Sequence, residues 1–303
     1  MDEVLNPVII LGPTASGKTK LAVALAEQLN GGIISADSRQ VYRRLDIGTG
    51  KDLDEYGAVP YRLIDVVDAG EKFDVAQYLK LTQKALMEFK SNGWRPIICG
   101  GTGMYIQALV QGVDSAVVPE NPSLREQLKE WTREELLEKL VQSPKPANFT
   151  PDQSTQKRLI RALEICEWAA RHPDYQPDPP LLPNARIFGL NPEREIRRQR
   201  ISERLIQRLQ AGLLDEVQGL LESGLTADQL IYYGLEYKYC TLYLTGQLDR
   251  KTFETKLETE IHRFAKRQMT YFRKMEKDGI RMHWLEQQST DMQLSAVLDA
   301  LKR

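Results

Sequence analysis

No stretch of this 303-residue chain is apolar for long enough to span a bilayer. Cysteine is scarce, and Cys99, Cys166 and Cys240 lie far apart with no C-x-x-C pair, which argues against a disulfide framework or a zinc site. Histidine is as sparse and as scattered, so a histidine metal cluster has nothing to build on. There is no internal repeat and no low-complexity segment. The start, Met1-Asp2-Glu3, is acidic where a signal peptide is basic. These absences argue against a secreted disulfide scaffold and a helical membrane protein, and a reducing cytoplasm is the expected setting; a monomer is expected as well. The 42% hydrophobic and 27% charged content fits that class, and the length allows one large domain or two.

Net charge is −1, so the chain as a whole does not declare a polyanionic partner. The charge is unevenly spread, however. Between Ile261 and Arg281 seven basic residues (Arg263, Lys266, Arg267, Arg273, Lys274, Lys277, Arg281) face two acidic ones. A second run holds Arg194, Arg197, Arg198, Arg200, Arg204 and Arg208 against Glu193, Glu195 and Glu203. Two basic helices in a neutral protein suggest a local polyanion surface, with a solvated helix face as the alternative.

The most specific feature is Gly12-Pro13-Thr14-Ala15-Ser16-Gly17-Lys18-Thr19, which fits G-x-x-x-x-G-K-[ST]. Its context is the required one. Val8–Leu11 reads as a buried parallel strand, and Leu21, Leu25 and Leu29 mark the stripe of a following helix. Strand, loop and helix start make a nest of backbone N–H groups at the positive end of a helix, suited to a di- or triphosphate. Lys18 can reach the terminal phosphates, and the Thr19 hydroxyl can ligate Mg²⁺.

Further strands are expected at 32–36, 62–66, 95–99 and 186–190, with helices at 74–91 and about 155–171. The β-α-β alternation predicts an α/β fold: a P-loop NTPase-like parallel sheet flanked by helices, with ligands at the carboxyl ends of the strands. The character changes near Val113, where prolines punctuate short helical pieces. The expected organisation is a core domain of residues 1–113 and 185–303, with a small, mostly helical insertion domain at 114–184. Stripes at Ile201, Leu205, Leu209, Leu213 and at Phe253, Leu257, Ile261, Ala265 predict two long helices near the C-terminus.

The second strand ends in Asp37-Ser38-Arg39-Gln40-Val41-Tyr42, facing the same crevice as Lys18. A carboxylate there can accept a proton or bind an exocyclic amine, and Gln40 has the paired donor and acceptor that suit an adenine edge. A helix N-cap is the alternative for Asp37. Gly100-Gly101-Thr102-Gly103-Met104-Tyr105 offers bare backbone for close ligand approach, or a plain tight turn. Leu63-Ile64-Asp65 resembles the strand-plus-Asp that orders Mg²⁺ in phosphate-loop proteins, with a structural Asp as the alternative.

Taken together, Gly12–Thr19, Asp37–Tyr42, Leu45-Asp-Ile-Gly-Thr49, Gly100–Tyr105, Arg158-Leu-Ile-Arg161-Ala-Leu-Glu and Ala265-Lys-Arg-Gln-Met-Thr-Tyr-Phe-Arg273 resemble the tRNA dimethylallyltransferases, also called tRNA isopentenyltransferases. The resemblance spans almost the whole chain. It implies transfer of a dimethylallyl group from dimethylallyl diphosphate to N6 of the adenosine 3′ of the tRNA anticodon. Asp37 would be the base, with Mg²⁺ shared by Thr19 and a flipped-out adenine. Positions matching the family's tRNA contacts are Asp37, Ser38, Arg39, Gln40, Thr102, Arg125, Lys157, Arg158, Leu159, Ile160 and Arg161. The alternatives are an adenine-nucleotide isopentenyltransferase, a catalytically weak tRNA-binding paralogue and a small-molecule kinase.

The chain also departs from the family pattern. Where the family carries an Arg that assists at the diphosphate, this chain has Tyr233, and the Gly-Tyr pair that follows becomes Glu236-Tyr237. The family's Ile-Gly-Thr-Ala-Lys-Pro becomes Ile47-Gly48-Thr49-Gly50-Lys51-Asp52, and Pro-His-His-Leu-Ile-Asp becomes Pro60-Tyr61-Arg62-Leu63-Ile64-Asp65. An active enzyme then needs another cation at the diphosphate. Arg39, Lys51, Arg62 and Lys238 are the candidates, with Lys51 or Arg62 favoured.

Overall fold

The computed structural model describes residues 6–112, 118–146, 149, 151–174 and 179–302. The boundary expected near Val113 lies outside them. The chain divides into two compact units, one of residues 1–110 and 181–303, the other of residues 111–180.

The larger unit is built on strands β1 (Val8–Leu11), β2 (Gly31–Ser35), β3 (Tyr61–Arg62), β4 (Arg95–Gly100), β5 (Arg186–Leu190) and β6 (His283–Leu285). They form one parallel sheet in the order β3-β2-β4-β1-β5-β6. β1 is apolar and buried at every residue, as a central parallel strand with both faces covered must be. Its register with β4 pairs Leu11 with Gly100, so the phosphate loop and the Gly100 turn leave the sheet side by side.

Helices α1 (Lys18–Leu29), α2 (Val75–Ser91) and α3 (Gly103–Gln111) follow strands or the loops after them, and α2 begins in a capping box at Asp74. The C-terminal part adds α7 (Arg194–Gln210), α8 (Leu213–Glu222), α9 (Ala227–Tyr232), α10 (Leu235–Leu244), α11 (Arg250–Lys277) and α12 (Thr290–Leu301). The stripe expected from Ile201 to Leu213 breaks at Gly212, whose φ of 98° ends one helix and starts the next. Ile201 and Leu205 of α7 are buried in a cluster shared with Phe253, Leu257, Ile261 and Ala265 of α11. Burying two such side chains is worth roughly 3–6 kcal/mol, against about 1 kcal/mol or less for a surface ion pair. Packing therefore fixes how α7 is rotated and where its arginines aim.

One expected strand is much shorter than its sequence suggests. Residues 62–66 read as β3, yet the strand ends at Arg62, because Leu63 and Asp65 take left-handed backbone (φ 64° and 56°). The chain instead runs beside residues 40–43, with Asp65 N donating to Gln40 O and Val66 N to Val41 O.

The smaller unit holds α4 (Pro122–Leu128), α5 (Arg133–Gln142) and α6 (Gln156–Arg171) around Leu128, Leu136, Leu140, Leu159, Leu163 and Cys166. Its buried Glu164 accepts from Asn121 N, Arg125 and Arg161.

Candidate active site at the phosphate loop

The loop from Gly12 to Thr19 joins β1 to α1. Gly17, in the left-handed region, is the N-cap, and Ser16 N donates back to Pro13 O at 3.3 Å. Gly12 and Pro13 are buried beneath the loop, while Ala15, Ser16, Gly17, Lys18 and Thr19 line an open cleft of about 860 Å³. Ser16 Oγ is buried and has no hydrogen-bond partner among the described residues. Thr14, Lys18 and Thr19 also line a second cleft of about 450 Å³. The two clefts meet at Lys18, Thr19, Arg204 and Arg208. Burial pushes the Lys18 pKa below that of an ordinary lysine, Cys99 and Asp37 oppose the shift, and Arg204 and Arg208 add to it.

The second cleft carries the strand-end residues. Asp37, Ser38, Arg39, Gln40 and Thr102 all line it. No helix follows Asp37; its Oδ1 accepts from Arg39 N at 2.9 Å, a local turn that leaves the carboxylate in the cleft. Ser38 N donates to Thr102 Oγ1 at 3.0 Å, which ties this turn to the Gly100 loop. Gln40 is more committed than an adenine-reading amide would be: it accepts from Ser35 Oγ and donates to Gly50 O, both at 2.9 Å. The glycines at 100 and 101 make room for protein rather than ligand. A Cβ at Gly100 would lie 2.2 Å from Ala36 O, and one at Gly101 would lie 2.4 Å from Gln268 Nε2.

The loop after the Asp37 turn is held from three sides. Glu216 of α8 accepts from the backbone N–H of Asp46, Ile47 and Gly48, at 2.8, 2.7 and 3.1 Å, and from Tyr237 Oη at 2.7 Å. Lys51, favoured as the replacement cation, lines the first cleft but is corrected all the same, because its donors are spent within the protein. Its ammonium is buried and donates to Tyr42 O, Asp46 Oδ1 and Asp65, and an ammonium has three donors. Asp65 is thus the structural partner of Lys51, and it lines neither cleft. Arg62 is a second correction: it pairs with Glu88 and Tyr61 O at the sheet edge and lines neither cleft. Arg39 and Lys238 do line the second cleft, Arg39 with its guanidinium 5.1 Å above the Tyr232 ring.

Tyr233 is buried, edge-on to Tyr42, with its hydroxyl accepting from Gly70 N. It is a packing residue. Two further cations, Arg204 and Arg208 of α7, line both clefts beside Lys18, and the sequence presented them only as members of a basic run. A visible signal existed, since both sit one position before an apolar stripe residue, Leu205 or Leu209. Gln268 was also missed. Its buried amide accepts from Thr14 N at 2.9 Å and donates to Gly101 O at 3.0 Å, and a glutamine inside the apolar stripe of α11 was the clue.

In the smaller unit, Lys157 is exposed and lines a shallow hollow with Arg125 and Ile160. Arg158 is paired with Asp152, and Arg161 donates to Glu164 and to Val118 O. The Leu159 side chain is fully buried in that unit's core, which leaves only its backbone for a partner. On α11, Arg263, Lys266, Arg267, Arg273 and Lys274 are exposed, as a polyanion surface requires.

Sheet order, loop and strand-end carboxylate define a phosphate-loop α/β protein with two adjoining clefts at the loop. Comparison with known proteins narrows this. The model of the IPP transferase family matches residues 40–275, and that of isopentenyl transferase matches residues 6–58. The chain is 48% identical over 283 residues to tRNA dimethylallyltransferase 2 of Trichlorobacter lovleyi, covering 93% of this chain and 92% of the relative. It is equally similar to tRNA dimethylallyltransferase 2 of Bacteroides fragilis, covering 92% of each. The crystal structure of the tRNA isopentenylpyrophosphate transferase of Bacillus halodurans matches at a TM-score of 0.73 and 32% identity, over 98% of this chain and 95% of that one. A eukaryotic dimethylallyltransferase acting on tRNA, 23% identical with a TM-score of 0.73, shares the fold. The chain belongs to the IPP transferase family.

Proposed function

We propose that this protein transfers a dimethylallyl group from dimethylallyl diphosphate to N6 of the adenosine 3′ of the anticodon in tRNA. The observation that carries the reading is the meeting of the two clefts at Lys18 and Thr19. One cleft offers loop amides and cations to a diphosphate, and the other presents Asp37 to an acceptor. The allylic C–O bond breaks with its electron pair going to the diphosphate, N6 bonds to the allylic carbon, and the N6 proton passes to Asp37. Lys18 and the loop N–H groups bind the charge that grows on the leaving group.

The donor set suits Mg²⁺ held mainly by the diphosphate. No cluster of three His, Cys, Asp or Glu side chains is placed to hold a metal among the described residues, which leaves Thr19, with the orphaned Ser16 hydroxyl beside it, as the protein's share. Bound there, Mg²⁺ would supply charge neutralisation to the diphosphate.

The exposed rings of Tyr232 and Phe264 at the second cleft, the basic face of α11, and Lys157 on the smaller unit support RNA as the acceptor over a free nucleotide. The names of the relatives support the same choice. Incubating the protein with labelled dimethylallyl diphosphate and unmodified tRNA, in parallel with AMP and ATP, tests it. Label in tRNA is expected; label in AMP or ATP alone would sink the reading.

A further inference from the structure

Three cations crowd the place where the clefts meet. Lys18, Arg204 and Arg208 line both clefts, with Asp52 paired to Arg204 and Glu236 to Arg208. The Arg208 side chain is 12% exposed. Its Nη1 donates to Gly48 O at 3.3 Å and to Glu236 Oε1 at 3.1 Å, while its Nε is buried with no hydrogen-bond partner among the described residues. Burial and then the Arg204 charge push Arg208 below the usual arginine pKa, against the pull of Glu236 and Asp52. A buried guanidinium with an orphaned N–H, pressed against two like charges, is costly in the free protein. An anion in the cleft relieves that cost.

The surrounding sequence is fitted to this arginine. Gly50 has φ 62°, and a Cβ there would lie 1.7 Å from Arg208 Nη2 and 2.4 Å from Arg204 Nη2. A side chain at position 50 would displace both. Positions 50, 52, 233 and 236 are four of the places where the chain departs from the family pattern. Here Gly50 clears the space, Asp52 holds Arg204 and Glu236 holds Arg208. Tyr233, buried with its hydroxyl on Gly70 N, offers no charge of its own. Two of these changes, Gly50 and Glu236, thus meet at Arg208, and a third, Asp52, holds its neighbour Arg204.

We propose that Arg208 is the leaving-group cation of this protein, binding the diphosphate from α7 and holding it more tightly as the allylic C–O bond breaks. The assignment rests on the prenyl-transfer reading, because that reaction supplies the growing charge. A planar guanidinium fork suits the nonbridging oxygens of a diphosphate.

The test is calorimetric titration of inorganic diphosphate with Mg²⁺ into the full-length protein and its Arg208→Gln and Arg208→Lys variants, with kcat and KM measured on tRNA. Arg208→Gln is expected to weaken diphosphate binding about tenfold and to lower kcat by about 10²–10³. A rate loss larger than the affinity loss marks a contact that strengthens in the transition state. Arg208→Lys should recover part of both. Glu236→Gln, which releases Arg208 from its carboxylate, should tighten diphosphate binding. Arg208→Gln protein that binds diphosphate and turns over like the wild type would overturn the assignment, as would weaker binding in Glu236→Gln. Wild-type protein that binds diphosphate through Arg208 yet leaves tRNA unlabelled would overturn the prenyl-transfer reading, and the anion site would stand.

Discussion

Helix α7 turns Arg204 and Arg208 toward the phosphate loop, whereas α11 turns Arg263, Lys266, Arg273 and Lys274 to solvent. Both helices are rich in basic residues, and α7 and the first half of α11 bury their apolar stripes in the same cluster. Arg204 and Arg208 differ from Arg263 in where they lie relative to the stripe. Arg204 and Arg208 each come one residue before a stripe position, so at about 100° per residue they flank the buried face and reach the cavity edge. Arg263 lies two residues from both Ile261 and Ala265, about 200° away, and can face only solvent. Composition makes the two helices look alike, while packing turns Arg204 and Arg208 into the clefts and leaves Arg263, Lys266, Arg273 and Lys274 exposed.

The contrast would break first at the clefts that α7 faces. Asp37→Ala should lower prenyl transfer by about 10²–10⁴ while leaving diphosphate binding nearly intact, since a base acts on the acceptor and not on the leaving group. Calorimetry with diphosphate, beside a rate assay, separates the two effects. Lys18→Ala should fall in both readouts together, with the rate down by about 10²–10³. Unchanged affinity and unchanged rate in that variant would remove the loop from the mechanism.

The outer face of α11 should behave in the opposite way. Neutralising Arg263, Arg273 and Lys274 is expected to weaken tRNA binding severalfold and to flatten its dependence on salt, because each lost phosphate contact takes about 0.7–0.9 from the slope. Diphosphate affinity should not move. An unaltered salt slope would return this face to plain solvation.

The smallest effect is in protons. Burial holds the Lys18 pKa down, so as pH rises Lys18 loses its charge earlier than an ordinary lysine does. A bound diphosphate favours the protonated form and raises that pKa again. Binding above neutral pH should therefore take up a fraction of a proton and weaken as the pH climbs. Titrations in buffers of differing ionisation enthalpy read the uptake, which should vanish in Lys18→Ala and persist in the α11 variants.

Much of this molecule was legible because its signals are local. Val8–Leu11 is an uninterrupted apolar run, Asp74 caps α2, and Thr155 caps α6, so strand and helix ends follow from neighbouring residues. The phosphate loop is legible for the same reason. What stayed hidden depends on contacts between distant segments. β3 stops because Asp65 is drawn back to Lys51, and nothing in Arg62–Val66 records that partner. β6 and α12 gave no strong pattern of their own, and Val297 is buried against the cluster that also contains α1. Arg39, Lys51, Arg62 and Lys238 are what the sequence offers as a replacement cation, whereas the one proposed above, Arg208, reaches the clefts from α7 through packing that no local pattern records.

Gln268 adds a consequence for how two ligands sense each other. Its one amide ties the entry of the phosphate loop at Thr14 to the Gly101 turn, and it does so from the helix whose outer face is proposed to meet RNA. α11 cannot slide or rotate there without giving up a hydrogen bond at the loop. RNA docking and diphosphate binding then share a mechanical element, and any help that one gives the other must be returned by the same factor.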